Sequence, residues 1–171
     1  MPNQATDKMS GRNNYICFKF VRMTIENHEI FMKEALKEAH KALERDEVPI
    51  GAVVVSKGRV IARAHNLTET LSDPTAHAEM QAITSATNAF GGKYLDQAIV
   101  YVTVEPCPMC AAALNWAQVK YVVYGASDPK RGFSLYSPSL LHPKCEVLGG
   151  VMELECSQLV SDFFKSKREN S

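Results

Sequence analysis

Two short motifs constrain this chain more than any other feature of its sequence. The first is His77-Ala78-Glu79, and the second is Pro106-Cys107-Pro108-Met109-Cys110. Zinc binds nitrogen and sulfur ligands in tetrahedral geometry, and a catalytic zinc site uses three protein ligands so that the fourth position can hold water. We therefore predict that His77, Cys107 and Cys110 bind a catalytic Zn²⁺ ion.

Glu79 is left free by this ligand set. Positions two apart do not share a helical face, so we expect His77 in the first turn of a helix and the longer Glu79 side chain reaching back towards the metal. There Glu79 would accept a proton from water and pass it on. Half of a structural zinc ribbon and a redox pair are the alternatives for a lone C-x-x-C. A second C-x-x-C is missing from the sequence, and the H-x-E partner favours an open metal site.

The composition is that of one globular domain. The chain has 171 residues, of which 46% are hydrophobic, and its formal net charge is zero, so it is large enough for one core and gives no global sign of nucleic-acid binding. Of its five cysteines, Cys17, Cys145 and Cys156 are scattered singly. This distribution is not a disulfide framework, and it predicts a reducing compartment, which we expect to be the cytoplasm.

The first residues differ in character from the rest. We predict that residues 1–23 form a polar, dispensable extension and that residues 24–171 form the zinc-dependent domain. The apolar cluster Tyr15-Ile16-Cys17-Phe18 is broken by Lys19, so it does not make the continuous apolar region of a signal peptide. We expect no membrane-spanning segment.

Apolar periodicity predicts alternating helices and strands. We predict helices over Glu29–Glu44, Ala76–Asn88, Cys107–Trp116 and Met152–Arg168, and strands over Ile50–Val55, Arg59–Ala64, Ala98–Val104, Lys120–Gly125 and Cys145–Val151. Asp73-Pro74-Thr75 is expected to cap the second helix. Such alternation is typical of an α/β fold whose mixed or parallel sheet is covered on both faces. Both groups of ligands then lie where helices begin, at the ends of strands.

The two motifs together are the signature of zinc deaminases, and their surroundings resemble the bacterial tRNA-specific adenosine deaminases of the cytidine deaminase superfamily. The likeness runs from about Glu29 to Arg168, through Arg45–Val53, Asp73–Glu79, Tyr101–Cys107 and Asp162–Phe164. It implies a three-layer α/β/α cytidine deaminase-like fold with a central five-stranded mixed sheet. It also implies a homodimer with one Zn²⁺ per subunit that converts the wobble adenosine of a tRNA anticodon stem-loop to inosine.

Three further residues are candidates for substrate binding. Asn66 ends the second strand and matches a family asparagine that contacts the target nucleoside, although an asparagine there also suits a turn. Asp128 matches a family aspartate near the bound RNA, with a turn or cap as an equal alternative. Phe164 ends an apolar stripe beside Lys165, Lys167 and Arg168, and an aromatic surface with adjacent cations suits unstacked bases. Periodicity cannot separate core packing from RNA contact for Phe163 and Phe164.

The chain also departs from the family pattern. Arg131–Tyr136 stands where the bacterial form has a glycine- and alanine-rich stretch, and Cys107–Cys110 with Asn115–Ala117 also resembles guanine deaminases. A small-molecule deaminase acting on guanine, cytosine or a free nucleoside is therefore the alternative function. A non-catalytic RNA-binding module with structural zinc is a third, against which Glu79 and the lack of a fourth protein ligand argue. Leu140–Lys144 and the last helix resemble the tRNA-acting branch.

Overall fold

A computed structural model of the chain describes residues 25–136 and 140–170. The predicted N-terminal extension, residues 1–23, lies outside the described residues. The helices are α1 (Ile25–Leu43), α2 (Ala78–Phe90), α3 (Pro108–Trp116) and α4 (Glu153–Glu169), with a short 3₁₀ helix at Phe133–Leu135. The strands are β1 (Gly51–Ser56), β2 (Arg59–His65), β3 (Ala98–Val104), β4 (Tyr121–Ala126) and β5 (Glu146–Leu148). Within the described part of the chain, no helix is long and apolar enough to cross a membrane.

The strands form one five-stranded sheet in the order β2-β1-β3-β4-β5. Strand β1 is antiparallel to both β2 and β3, whereas β3, β4 and β5 run parallel. Consequently β2, β3 and β4 all end at the same edge of the sheet, and β1 begins there. This edge collects the loops that follow His65, Val104 and Ala126, together with the loop that precedes Gly51.

Helices cover both faces of the sheet. On one face α2 and α3 pack on a core that includes Ala82, Leu114, Val100 and Val122, while α1 and α4 cover the other. Gly51 shows how close the second layer lies, because a Cβ there would collide with the α1 backbone at Ala35 and Ala39. Strands buried on both faces read as continuous apolar runs, as β1 and β3 do. The predicted three-layer α/β/α fold with a five-stranded mixed sheet is confirmed.

Several element boundaries differ from the prediction. Helix α1 already includes Ile25, and β5 covers only Glu146–Leu148 because its pairing with β4 is limited to three residues. The expected cap of α2 is wrong: the helix begins at Ala78, with His77 in the capping position. Asp73 closes its own turn instead, accepting hydrogen bonds from the backbone N–H of Thr75 at 2.8 Å and from the Thr75 hydroxyl at 2.7 Å.

Candidate metal centre

The three predicted metal ligands lie where two helices begin. His77 immediately precedes α2, Cys107 immediately precedes α3, and Cys110 lies in the first turn of α3. Neither His77 nor Cys107 caps its helix with its side chain, so the imidazole and the thiol remain available to a ligand. The first N–H groups of a helix have no partner within it, and its N-terminus carries a partial positive charge that stabilises thiolates.

The spacing of the three ligand atoms fits a tetrahedral zinc. Nδ1 of His77 lies 3.7 Å from Sγ of Cys107 and 3.5 Å from Sγ of Cys110, and the three atoms all lie within 4.8 Å of one another. Zinc bond lengths of about 2.3 Å to sulfur and about 2.0 Å to nitrogen place such atoms about 3.5 Å apart in a tetrahedron. The chemistry and the spacing of the donors therefore both suit a metal ion.

The two thiols differ in acidity, and Cys107 loses its proton more readily than Cys110. The hydrogen bond from Cys110, with a further contribution from His77, lowers the pKa of Cys107 to about 4. The same pairing with Cys107, together with burial, raises the pKa of the Cys110 thiol. The bond to Cys107 also raises the pKa of His77 despite its partial burial. Metal ligation requires deprotonated thiolates and a neutral imidazole, so metal binding here releases protons.

Glu79 lies in the first turn of α2 and is only 4% exposed. Burial raises its pKa to about 7, and the negative charge of Cys107 acts in the same direction. Its carboxylate also contacts the Cys110 thiol. A carboxylate with a pKa near neutrality can both accept and release a proton at physiological pH, which is the role predicted for it.

Asn66 lies on the rim of the centre and is 4% exposed. Its backbone N–H donates to the carbonyl of Ile50 at 3.0 Å, and the next residue, Leu67, donates to the carbonyl of Ala76 at 3.0 Å. Ala76 directly precedes His77, so this bond holds the Asn66 segment beside the ligand. The side-chain amide nitrogen donates to Oε2 of Glu47 at 3.1 Å.

Asp128 lies in the loop after β4, on the rim beside Glu105. Its Oδ1 accepts hydrogen bonds from the backbone N–H groups of Lys130 at 2.9 Å and Arg131 at 3.0 Å, which is the turn geometry weighed as the alternative. Glu105 holds the same loop, because its carboxylate accepts from the N–H of Asp128 at 3.0 Å and of Ser134 at 3.1 Å. An RNA contact by Asp128 stays a prediction.

The two aromatics at the end of α4 have different surroundings. Phe163 is 7% exposed and belongs to the buried set, whereas Phe164 is 45% exposed. Their rings meet edge to face with centroids 5.4 Å apart. Lys167 lies over the Phe163 ring and pairs with Asp46, so it ties the end of α4 to the loop before β1. Phe163 is thus a packing residue, and RNA contact by Phe164 stays a prediction.

Two residues of the rim were missed by the sequence reasoning. Glu47 and Glu105 are 0% and 5% exposed, and each binds a loop beside the centre. Both occur within motifs that carried the family resemblance, yet neither received a role. The signal that could have found them is the position of each glutamate directly beside a buried apolar run. A carboxylate is almost never fully buried unless it is paired, so a glutamate at such a position is expected to have hydrogen-bond partners.

Comparison with known proteins agrees with this geometry. The model of the MafB19-like deaminase family matches residues 26–168. A tRNA-specific adenosine deaminase of Bacillus subtilis is 50% identical over 146 residues, which cover 82% of this chain and 91% of that protein.

Solved structures with a similar fold include two kinds of deaminase. One, from work on A-to-I editing by tRNA:A34 deaminases at the wobble position of transfer RNA, is 47% identical with a TM-score of 0.70, and the match covers 75% of this chain and 97% of that one. A guanine deaminase from Bacillus subtilis is 43% identical with a TM-score of 0.56, over 58% of this chain and 64% of that one.

Proposed function

We propose a function from one premise: the chain belongs to the MafB19-like deaminase family, and within it to the tRNA-specific adenosine deaminases. The reaction is hydrolytic deamination of adenosine to inosine at the wobble position of a tRNA anticodon. The observation that carries this proposal is the three-ligand centre at two helix N-termini with the buried carboxylate of Glu79 beside it. The 50% identity to a tRNA-specific adenosine deaminase over 82% of the chain supports the substrate.

The metal is Zn²⁺, one per subunit, held by His77, Cys107 and Cys110. One nitrogen and two sulfur donors are the ligands that zinc prefers, and two thiolates balance its charge. When bound, zinc lowers the pKa of water and so provides a nucleophile near neutral pH. With three protein ligands the coordination sphere keeps a position for that water, which is the arrangement of a catalytic rather than a structural site.

Glu79 moves the protons. It takes one proton from the attacking water and delivers it to N1 of the adenine ring while the C6–O bond forms. It then takes the remaining hydroxyl proton and gives it to the exocyclic amine, and the C6–N6 bond breaks. One water is consumed, ammonia leaves, and the water oxygen now bonded to C6 becomes the carbonyl oxygen of inosine. Glu79 suits both steps because it is buried beside the metal ligands and is not itself one of them.

The substrate residues are proposed from the family resemblance and, for Phe164, from its exposed ring beside cations. Asn66 contacts the target nucleoside, Asp128 lies against the RNA, and Phe164 offers an exposed ring to an unstacked base. An anticodon loop presents unpaired bases, so flipping one into a pocket costs less there than in a duplex. The working unit is a homodimer in the cytoplasm.

Lys165 and Arg168 follow Phe164 and would bind phosphates, so replacing both with Gln should weaken tRNA binding and reduce its salt dependence.

A free-base deaminase is the second candidate function. The 43% identity to a guanine deaminase extends over 58% of the chain. The rim segment Arg131–Tyr136 is where the chain departs from the tRNA-acting pattern, and Leu135 and Tyr136 are 56% and 62% exposed there. Guanine, cytosine or a free nucleoside would then be the substrate of the same metal chemistry.

Ammonia release by the purified, zinc-loaded protein tests the proposal. An anticodon stem-loop with a wobble adenosine is compared with free guanine, cytosine, adenosine and cytidine, and inosine in the stem-loop is confirmed by nuclease digestion and chromatography. We expect turnover of the stem-loop alone. A stem-loop with guanosine at the same position controls for ammonia from other bases. If a free base is turned over and the stem-loop is not, the proposed zinc chemistry stands and the proposed tRNA substrate is wrong.

A further inference from the structure

The Glu47 carboxylate is fully buried and accepts four hydrogen bonds from one loop. Its Oε2 accepts from the side chains of Asn66 at 3.1 Å and Thr68 at 3.2 Å and from the N–H of Glu69 at 3.1 Å. Its Oε1 accepts from the N–H of Thr70 at 2.7 Å. Burial by itself raises the pKa of Glu47, but the donors of Thr70 and Glu69 outweigh it and hold the pKa below the usual value. The group is therefore an ionised acceptor that cannot donate.

This arrangement uses both hydrogens of the Asn66 side-chain amide. Nδ2 donates to Glu47 and, at 3.0 Å, to the hydroxyl oxygen of Thr68. Thr68 gives its own hydrogen to Glu47, so its oxygen is left to accept from Asn66. Turning the amide over would place its carbonyl oxygen against a carboxylate, which has no hydrogen to offer. The orientation of the Asn66 amide is thus set by its neighbours and not by the substrate.

The amide oxygen of Asn66 remains available. No group in residues 25–136 or 140–170 donates a hydrogen bond to it. Among these described residues, the one side-chain polar atom that is both fully enclosed and without a partner is Nε2 of His65, so the Asn66 oxygen keeps an opening to solvent. The hydrogen bond from the N–H of Leu67 to the carbonyl of Ala76 holds the backbone next to Asn66 beside His77.

We propose that Glu47 is a positioning residue that holds the Asn66 amide with its oxygen free, so that Asn66 accepts a hydrogen bond from the 2′-hydroxyl of the target nucleotide. This inference rests on the proposed function. An acceptor needs a donor, and the ring nitrogens N1, N3 and N7 of adenosine carry no hydrogen. The exocyclic amine is the leaving group at the metal, and the 3′-oxygen within an RNA chain is esterified. The 2′-hydroxyl remains, and it is the group that distinguishes RNA from DNA.

The test compares two stem-loops that differ by a single oxygen. One carries adenosine and the other 2′-deoxyadenosine at the target position, and kcat and KM are measured separately for each. We expect the wild-type kcat/KM to fall about tenfold on the deoxy substrate, a loss of about 1.4 kcal/mol of transition-state binding. Asn66→Ala should be slower on adenosine and should treat both stem-loops within about twofold.

Glu47 is tested by a matched pair of variants. Glu47→Gln should lower kcat/KM on adenosine about tenfold or more and shrink the preference for the 2′-hydroxyl, because the amide loses its fixed orientation. Asp46→Asn removes the same charge one residue away, from a side chain that is 77% exposed, and should leave both quantities unchanged. If Glu47→Gln does not fold, Thr68→Val is the substitute test, because it removes the second acceptor of the Asn66 amide. Thr68→Ser keeps that acceptor and should restore the wild-type kcat/KM and the wild-type preference for the 2′-hydroxyl.

Two kinetic outcomes would overturn the inference: equal wild-type rates on the two stem-loops, or a preference that Asn66→Ala leaves intact. A wild-type enzyme inert on both stem-loops would instead overturn the proposed function, and the hydroxyl contact with it. Hydrogen exchange of the Asn66 side-chain amide, measured by ¹⁵N NMR, then decides the role of Glu47 without activity. We expect both hydrogens to be protected in the wild type and to exchange fast in Glu47→Gln. Fast exchange in the wild type would refute the positioning role.

Discussion

Glu79 and Glu47 are both buried glutamates beside the same centre, yet their carboxylates differ in acidity. Glu79 is 4% exposed and Glu47 is 0% exposed. The pKa of Glu79 is raised to about 7, whereas that of Glu47 is lowered. Burial raises the pKa of both by removing water from the charged form. The difference lies in the partners: Glu47 receives four hydrogen bonds, and Glu79 lies next to the negative sulfur of Cys107.

This difference separates two uses of a buried carboxylate. A carboxylate whose charge is satisfied by N–H and O–H donors stays ionised and organises the groups that bind it. A carboxylate that lacks such compensation and faces a negative neighbour changes its protonation state near neutral pH. Glu105 resembles Glu47, since its carboxylate accepts from the backbone of Asp128 and Ser134. The centre therefore has one buried carboxylate with a raised pKa, which we propose as the proton carrier, and two carboxylates that each hold a loop.

The largest effect is expected from Glu79→Gln, which keeps the shape of the side chain and removes its ability to carry protons. We expect kcat to fall by a factor of about 10² to 10⁴, while the zinc content, measured by atomic absorption, stays at one per subunit. Unfolding by urea should show no loss of stability, since an uncompensated buried carboxylate is removed. Loss of zinc in this variant would show that Glu79 is a ligand. The distinction between a proton-carrying Glu79 and a loop-holding Glu47 would then be wrong.

The second effect concerns the loop held by Glu105. A Cβ at Gly132 would collide with the Glu105 carboxylate and with the carbonyl oxygen of Asp128. Gly132→Ala should therefore lower the free energy of unfolding by about 1 to 3 kcal/mol, as measured by urea denaturation. Gly92→Ala is the control, because a Cβ at Gly92 meets open space. Equal stability of the two variants would show that the Glu105 side chain moves to make room for the new methyl group at no cost in stability.

A third and smaller effect is the response of stability to acid. The folded pKa of Glu47 lies below its usual value of 4.5, so its stabilisation is complete above about pH 4.5 and is lost as the pH falls towards the folded pKa. The difference in unfolding free energy between wild type and Glu47→Gln should thus be larger at pH 7 than at pH 3.5. The other carboxylates titrate in both proteins, so their contributions cancel in this difference. A difference that does not vary with pH would contradict the lowered pKa.

The smallest effect is expected next to Glu47 in the sequence. Asp46 pairs with Lys167, but its side chain is 77% exposed, and exposed ion pairs contribute about 0 to 1 kcal/mol. Asp46→Asn should change the free energy of unfolding by less than about 1 kcal/mol and should tolerate the positive φ of 61° at this position, since asparagine adopts it readily. A loss as large as that of Glu47→Gln would mean that charge, and not burial and hydrogen bonding, distinguishes the two positions.

Much of the centre was predictable because it is built from local chain geometry. His77 and Glu79, like Cys107 and Cys110, are close in sequence, and a helix start brings each pair to one place. The apolar run Ala98–Val104 matched its strand to the residue. The order of the sheet was not predictable in this way, since β1 lies between β2 and β3 and pairing between distant strands leaves no local mark.

The sequence by itself predicted the three residues of the candidate metal site, the layers of the fold and the family of this protein. Spacing within one helical turn and apolar periodicity depend only on residues that are close in the sequence. They can therefore be read without knowing the tertiary structure. Only the tertiary structure decided what Glu47, Glu105 and Asp128 do. Glu47 meets Asn66 across 19 positions of sequence, and Glu105 meets Ser134 across 29. Such partners become neighbours only after the sheet has formed, because β2, β3 and β4 end at one edge and bring their loops together.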